Sequence, residues 1–158
     1  MGLNLGMNVD EFCKALKAKG LKQTIDRFEE KEFVGTFATY PDCKIIVKAT
    51  EVSKKVKSVE VQFEAIRNDE YEVNRAYDAI VEQYKNKYGE KFKEEPYKDS
   101  EIIVVRTCTV KDGDLNIHID KFSPSALLPD RASLTVFYFS KSLQSLKEVN
   151  PDKHSDDI

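Results

Sequence analysis

The chain carries the same arrangement of segments twice. In each copy a short amphipathic helical stretch ends at a glycine, and about three stretches of strand-like alternation follow it. The first copy covers about residues 5–64 and the second about residues 68–140. Runs of strands after a helix favour antiparallel pairing over a parallel βαβ arrangement. The sequence therefore predicts an α+β fold, in which two αβββ-type repeats build an antiparallel sheet with both helices packed on one face.

Capping residues mark the ends of the two predicted helices. Asn8 is a typical N-cap residue, and Gly20 can adopt the left-handed conformation that ends a helix. Asp69 and Gly89 stand at the corresponding ends of the second helix. The apolar residues of the second helix recur at steps of three and four, as a one-sided helix requires: Val73, Ala76, Tyr77, Ile80, Val81 and Tyr84.

Several stretches alternate between apolar and polar residues, as strands with one buried face do. Residues 43–49, 57–63 and 115–120 show this alternation, whereas residues 133–140 are apolar on both sides. Alternation predicts which side chains share a face of the sheet. It leaves open the order of the strands, and whether the two copies share one sheet or form two facing sheets.

Composition and charge restrict the classes of protein to which the chain can belong. The 158 residues suit one domain over 1–158, with a C-terminal helix or tail at 141–158, and the 41% of hydrophobic residues suffice for a core. The net charge of −3 provides no positive field for nucleic-acid phosphates. No apolar run approaches the roughly 20 residues that span a bilayer. We therefore expect no nucleic-acid partner and no transmembrane segment, and the oligomeric state stays open.

The sequence contains no recognisable catalytic or metal-binding set. Of its two histidines, His154 falls in the tail, so only His118 could activate a cysteine nucleophile. There is no Cys-x-x-Cys pair, no glycine-rich phosphate loop and no serine-nucleophile motif. We therefore predict a protein that is not an enzyme and has no catalytic, metal-binding or cofactor-binding residues.

Outward-facing strand residues of mixed character are the candidates for binding a partner. Aromatic side chains among polar neighbours suit a recognition surface. The predicted partner-binding residues are Ile46, Lys48, Glu60, Gln62, His118, Phe137 and Phe139. The alternative is that the loop at 122–131 or the C-terminal helix covers them. The favoured function is an interaction domain that binds a protein or envelope partner.

Two other functions stay open beside the interaction domain. A carrier of a small apolar ligand would need a pocket between the helices and the sheet, lined by aromatic residues such as Phe63, Tyr77 and Tyr84. Dense core packing is the simpler role for those three side chains. A hydrolase that uses a cysteine or a pair of carboxylates is the least favoured function.

The three cysteines bear on the compartment in which the protein resides. Cys13 lies beside the apolar stripe of the first helix and is predicted to be a small core residue. Cys43 and Cys108 lie on strand-like stretches, and buried thiols are the commonest outcome in a reducing compartment. In an exported protein the same two cysteines could form a disulfide.

Short stretches spread over residues 5–140 carry a resemblance to known proteins. They are Leu5-Gly6-Met7, Phe12, Leu16, Lys19-Gly20-Leu21, Val34-Gly35-Thr36-Phe37-Ala38, Asp42-Cys43-Lys44-Ile45, Val47, Tyr84, Lys87-Tyr88-Gly89 and Cys108-Thr109. Together they resemble a family of small, uncharacterised secreted α+β domains of gut bacteria. The layout is also similar to that of β-lactamase-inhibitor-like proteins, whose tandem helix-plus-strands units bind partners through a sheet face.

The resemblance implies that the protein is exported. It implies a periplasmic or secreted location, with a leader absent from this chain and Met1 in its place, against a cytoplasmic location as the alternative. It also implies a Cys43–Cys108 disulfide and leaves Cys13 as an unpaired thiol. The likeness to β-lactamase-inhibitor-like proteins concerns architecture alone, and architecture does not determine function.

Overall fold

The computed structural model describes residues 3–148. Its helices are α1 (Val9–Ala18), α2 (Glu70–Tyr88) and the short α3 (Lys141–Gln144). Its strands are β1 (Lys22–Asp26), β2 (Glu30–Phe37), β3 (Tyr40–Ala49), β4 (Val56–Gln62), β5 (Phe92–Glu94), β6 (Lys98–Asp99), β7 (Val104–Asp112), β8 (Leu115–Ser123) and β9 (Ser133–Ser140).

The strands form one antiparallel sheet. Its order is β1-β2-β3-β4-β9-β8-β7-β5, and β6 pairs with β7 off this path. The last strand before α2 is β4, and it pairs in the middle of the sheet with β9, the last strand within residues 3–148. The strands that follow α1 therefore form one half of the sheet, and those that follow α2 form the other. The prediction of an α+β fold with an antiparallel sheet is confirmed.

Short strands at the outer edges are the main addition to the predicted elements. β1 extends the sheet beyond β2, while β5 and β6 both pair with β7. These strands come from charged stretches, where the sequence indicates a short connecting strand or turn for residues 21–30 and a loop for residues 90–100. Edge strands bury little side-chain surface, so they lack the apolar alternation that marks the inner strands.

Both long helices begin at side-chain caps. The Asn8 side chain accepts hydrogen bonds from the backbone N–H groups of Asp10 at 2.9 Å and Glu11 at 3.3 Å. The Asp69 side chain accepts one from the N–H of Glu72 at 3.1 Å. These N–H groups have no partner inside the helix, so each cap stabilises its helix start by about 1 kcal/mol.

The core lies between the sheet and the two long helices, which pack on the same face of the sheet. α1 buries Val9, Phe12, Cys13 and Leu16, and α2 buries Val73, Ala76, Tyr77, Ile80 and Val81. The strands contribute fully buried side chains that include Phe33, Ile45, Val47, Val61, Val110, Ile117, Ile119 and Val136. Since successive strand residues point to opposite sides, the residues between these face away from α1 and α2.

The three cysteines are free thiols buried in this core. The implied Cys43–Cys108 disulfide is wrong for this fold. Cys43 lies on β3 and Cys108 on β7, and four strand-to-strand steps separate β3 from β7 in the sheet. At about 4.8 Å a step the two residues are about 19 Å apart, whereas a disulfide needs Cα atoms within about 7 Å.

Candidate functional site

The predicted partner-binding residues lie together on the face of the sheet that α1 and α2 leave uncovered, which we call the open face. Ile46 pairs with Glu60, Glu60 with Phe137, and Phe137 with His118. These four residues therefore form one row across β3, β4, β9 and β8. Their neighbours along each strand belong to the core or pack against it, so the row points away from the helices.

A second row runs beside the first on the open face. Lys48 pairs with Ser58, Ser58 with Phe139, and Phe139 with Asn116. Both Ser58 and Asn116 are buried although they face away from the core. Gln62 lies in a third row. All seven predicted residues thus share one face, in neighbouring strands.

Three aromatic rings form the centre of the open face. Phe137 and Phe139 lie two residues apart on β9, with nearly parallel rings whose centroids are 5.2 Å apart. The ring of His118 meets Phe139 edge-on, also at 5.2 Å. Offset-stacked and edge-to-face arrangements are the favoured geometries of aromatic pairs. Since all three side chains are only half-buried, this aromatic cluster presents apolar surface to the solvent.

Charged and polar side chains surround the aromatic cluster. On one side, Lys48 forms an ion pair with Glu30 at 3.8 Å, and the Gln62 amide donates a hydrogen bond to Glu60 at 2.9 Å. On the other side, β7, β8 and β9 bring further polar side chains to the open face. The predicted partner-binding set leaves these residues out, although the alternation already placed two of them outward; they are Thr107, Thr109, Asn116, Asp120 and Thr135. Their alternation was visible in part, but their place beside the cluster depends on the strand order.

The loop at 122–131 and the C-terminal segment are the elements predicted as alternative covers for this face. The loop is held at the end of β7, where Ser125 Oγ donates to the carbonyl of Ile102 at 3.0 Å. Arg131 lies over the ring of Phe122, at 4.2 Å from its centroid. The C-terminal segment runs from Ser140 to the turn between β3 and β4, where Glu148 accepts hydrogen bonds from the backbone of residues 52 and 53. Both segments make these hydrogen bonds at the ends of the sheet, and the aromatic cluster stays half-exposed between them.

The thiols lie in settings that favour the protonated form. Burial raises the pKa of Cys43 to about 11, and it also raises the pKa of Cys13 and of Cys108. Cys108 lies 3.0 Å from the hydroxyl of Tyr77 inside the core. His118 lies on the opposite face of the sheet, so it is not placed to activate any of these thiols. Within residues 3–148, no three histidine, cysteine or acidic side chains converge to hold a metal ion.

A cavity of about 700 Å³ lies between the two helices and the sheet. Tyr84 lines it, as the carrier hypothesis predicts. Phe63 and Tyr77, which the same hypothesis names, do not line it. Both are buried: Phe63 packs edge-on against Phe37 and Tyr40, and Tyr77 contacts Cys108. Tyr138 and Leu115, which sequence reasoning did not single out for this role, complete the wall beside Tyr84.

Comparison with known proteins finds no relative of this chain. No protein-family model, no curated protein and no solved structure matches it significantly. Within residues 3–148, none of the helices combines the length and the apolar character needed to cross a membrane. The geometry of the open face and of the cavity is therefore the basis for assigning a function.

Proposed function

We propose that the protein is a non-enzymatic, exported interaction domain that binds a protein partner through the open face of its sheet. The observation that carries this proposal is the convergence of the seven predicted residues on that face. Residues that are up to 93 positions apart, from Ile46 to Phe139, come together there because β4 pairs with β9.

The composition of the open face suits a protein partner. Protein interfaces place aromatic residues at the centre and polar residues at the rim, and a few central side chains supply most of the affinity. The aromatic cluster of His118, Phe137 and Phe139 is the central apolar element here. Lys48, Glu30 and the other polar residues around it supply charges of both signs, which favours a partner of mixed charge over a polyanion.

Export is the part of the proposal that rests on the resemblance to secreted domains of gut bacteria. A disulfide no longer supports it, because Cys43 and Cys108 are too far apart to bond. Fractionation of the cells that produce the protein naturally, followed by its detection in each fraction, tests export separately from binding. Recovery of the mature protein in the cytoplasm would contradict this part of the proposal.

The binding surface is tested by affinity capture with matched variants. The immobilised protein is incubated with an envelope extract of its source, and the retained proteins are identified by mass spectrometry. We expect a partner that wild type retains and that Phe137→Ala and His118→Ala release. The control is Tyr71→Ala, which removes an aromatic side chain that is 69% exposed on α2, on the other side of the sheet. This control variant should retain the partner.

Two open-face variants are used so that loss of binding can be told apart from loss of folding. His118→Ala removes a half-buried polar ring on the surface, so we expect its circular dichroism and thermal unfolding to match wild type. Recovery of the same set of proteins with wild type, His118→Ala and Phe137→Ala would contradict binding through the open face.

A further inference from the structure

The cavity between the helices and the sheet has features of a small-molecule site on the side opposite the open face. Its volume of about 700 Å³ lies within the range of about 300 to 1,000 Å³ that is usual for ligand pockets. Its floor is formed by buried apolar side chains, among them Phe12, Ile80 and Val59. Tyr138 lies on a central strand and lines the cavity, yet its side chain is only partly buried. The cavity is therefore open to the solvent.

A pair of hydroxyl groups is the main polar feature of the cavity wall. The side chains of Tyr84 on α2 and Tyr138 on β9 both line the cavity, and their hydroxyl oxygens are in hydrogen-bond contact. Burial raises the pKa of both groups above the ordinary tyrosine value, so both stay protonated at neutral pH. One of the two protons is used between them, which leaves the other free to donate to a ligand.

Two lysines stand at the rim of the cavity. Lys19 follows the end of α1 and Lys87 lies in the last turn of α2; both are exposed and line the cavity. Neither forms an ion pair with any residue of the described part of the chain. The one acidic residue of the rim, Asp114, is already engaged: its carboxylate accepts hydrogen bonds from Ser140 and from the backbone N–H of Ser142. The two lysine charges outnumber the one negative charge of Asp114, so the rim carries net positive charge, and Lys87 Nζ also lies 5.3 Å from the centroid of the Tyr88 ring.

We propose that this cavity binds a small amphiphile that has an apolar body and one carboxylate. The apolar body lies against the buried floor and the aromatic wall. The carboxylate meets the rim lysines, where it can also accept a hydrogen bond from the free hydroxyl group of the tyrosine pair; both kinds of donor favour an anion. This site is separate from the open face, so either site can fail its test without affecting the other.

The test is isothermal titration calorimetry of the full chain with sodium decanoate. We expect a Kd on the order of 100 µM or tighter for this small ligand. Decyltrimethylammonium has the same chain length and a positive head, and we expect it to bind at least about tenfold more weakly. Absence of decanoate binding, or equal binding of the two probes, would overturn the proposal.

Charge-reversal variants locate the head group. Lys19→Glu combined with Lys87→Glu should weaken decanoate binding by about tenfold and remove the preference over decyltrimethylammonium. Lys14→Glu combined with Lys98→Glu changes the net charge equally at exposed positions outside the cavity, and should leave the affinity unchanged. Lysines at helix C-termini also complement the helix dipole. If that were their only role, the rim variant would change stability and keep wild-type affinity, which would refute the head-group assignment.

Methyl NMR locates the apolar body independently of any variant. Decanoate should shift the methyl resonances of Leu115 and Ile80, which line the cavity, and leave Ile46 on the open face unshifted. Shifts at Ile46 with unchanged resonances at Leu115 and Ile80 would place the binding on the wrong side of the sheet and overturn the proposal.

Discussion

The close approach of Gly35 on β2 to Leu21 provides a quantitative test of the packing between α1 and the edge of the sheet. A Cβ atom added to Gly35 would lie 2.8 Å from Cγ of Leu21, and 3.3 and 3.4 Å from its Cα and Cβ. Leu21 is buried, and its N–H donates to the carbonyl of Leu16 at the end of α1. This hydrogen bond ties the backbone of Leu21 to the end of the helix.

The expected effect of Gly35→Ala is the balance of two terms. Replacing glycine reduces the freedom of the unfolded chain, which by itself stabilises the fold by about 0.4 to 1 kcal/mol. Overpacking a filled site costs about 1 to 3 kcal/mol. A contact of 2.8 Å with a buried side chain makes the second term the larger, so we expect a net loss of about 1 to 2 kcal/mol in the free energy of unfolding.

A double-mutant cycle isolates the contact. Leu21→Ala alone leaves a cavity and costs about 2 to 5 kcal/mol, but it removes the atom that a new Cβ would meet first. The cost of Gly35→Ala should therefore fall by about 1 kcal/mol or more in the Leu21→Ala background. The free energies are measured by urea unfolding, followed by circular dichroism. Equal effects of Gly35→Ala in both backgrounds, or no effect in wild type, would refute the contact.

Three further predictions concern ionisation and thiols. Burial raises the folded-state pKa of Tyr84 and of Tyr138 above the unfolded value of about 10, so the stability that these groups contribute is intact below pH 10 and is lost as the pH rises further. The free energy of unfolding, measured in urea, should therefore fall between about pH 10 and 12, and Tyr138→Phe should make this fall shallower. Hydrogen bonds from Ser140 and from the backbone N–H of Ser142 hold the pKa of Asp114 below its ordinary value, so the stability that this carboxylate contributes is present above about pH 4 and is lost at lower pH. Asp114→Asn should make the fall of Tm at acid pH shallower, and an unchanged dependence of Tm on pH would contradict this. Burial raises the pKa of the Cys43 thiol to about 11, so this thiol should react with a disulfide reagent at pH 8 only as fast as the protein unfolds. The mass of the intact protein should not change on reduction, because the described cysteines are free thiols. Rapid labelling of the native protein would contradict the buried position of Cys43.

Local features of the sequence predicted the helices and the faces of the strands. Asn8 and Asp69 mark the helix starts because a side-chain cap acts within one turn. Alternation with a period of two assigned Ile46, Glu60 and His118 to the same side of their strands, since this assignment needs only the residues next to them. These predictions hold because each depends on contacts within a few residues.

Features that depend on the strand order could not be predicted. The pairing of β4 with β9 joins residues 58–62 to 135–139, and no local signal specifies such a distant register. The disulfide prediction is wrong for the same reason, because the distance between Cys43 and Cys108 depends on how many strands lie between them in the sheet. Of the three aromatic residues predicted to line a cavity, Tyr84 does and Phe63 and Tyr77 do not, since aromatic side chains fill a core or line a cavity with the same periodicity.

Site-specific photo-crosslinking at the open face tests the proposed function most directly. A photoreactive phenylalanine analogue is placed at Phe137 in one sample and at Tyr71 in another, and each protein is irradiated in the envelope extract. Binding through the open face predicts one specific adduct from position 137, which excess unlabelled wild type abolishes, and no such adduct from position 71. The same adduct from both positions, or from position 71 alone, would show that the partner contacts a different surface and would contradict the proposed function.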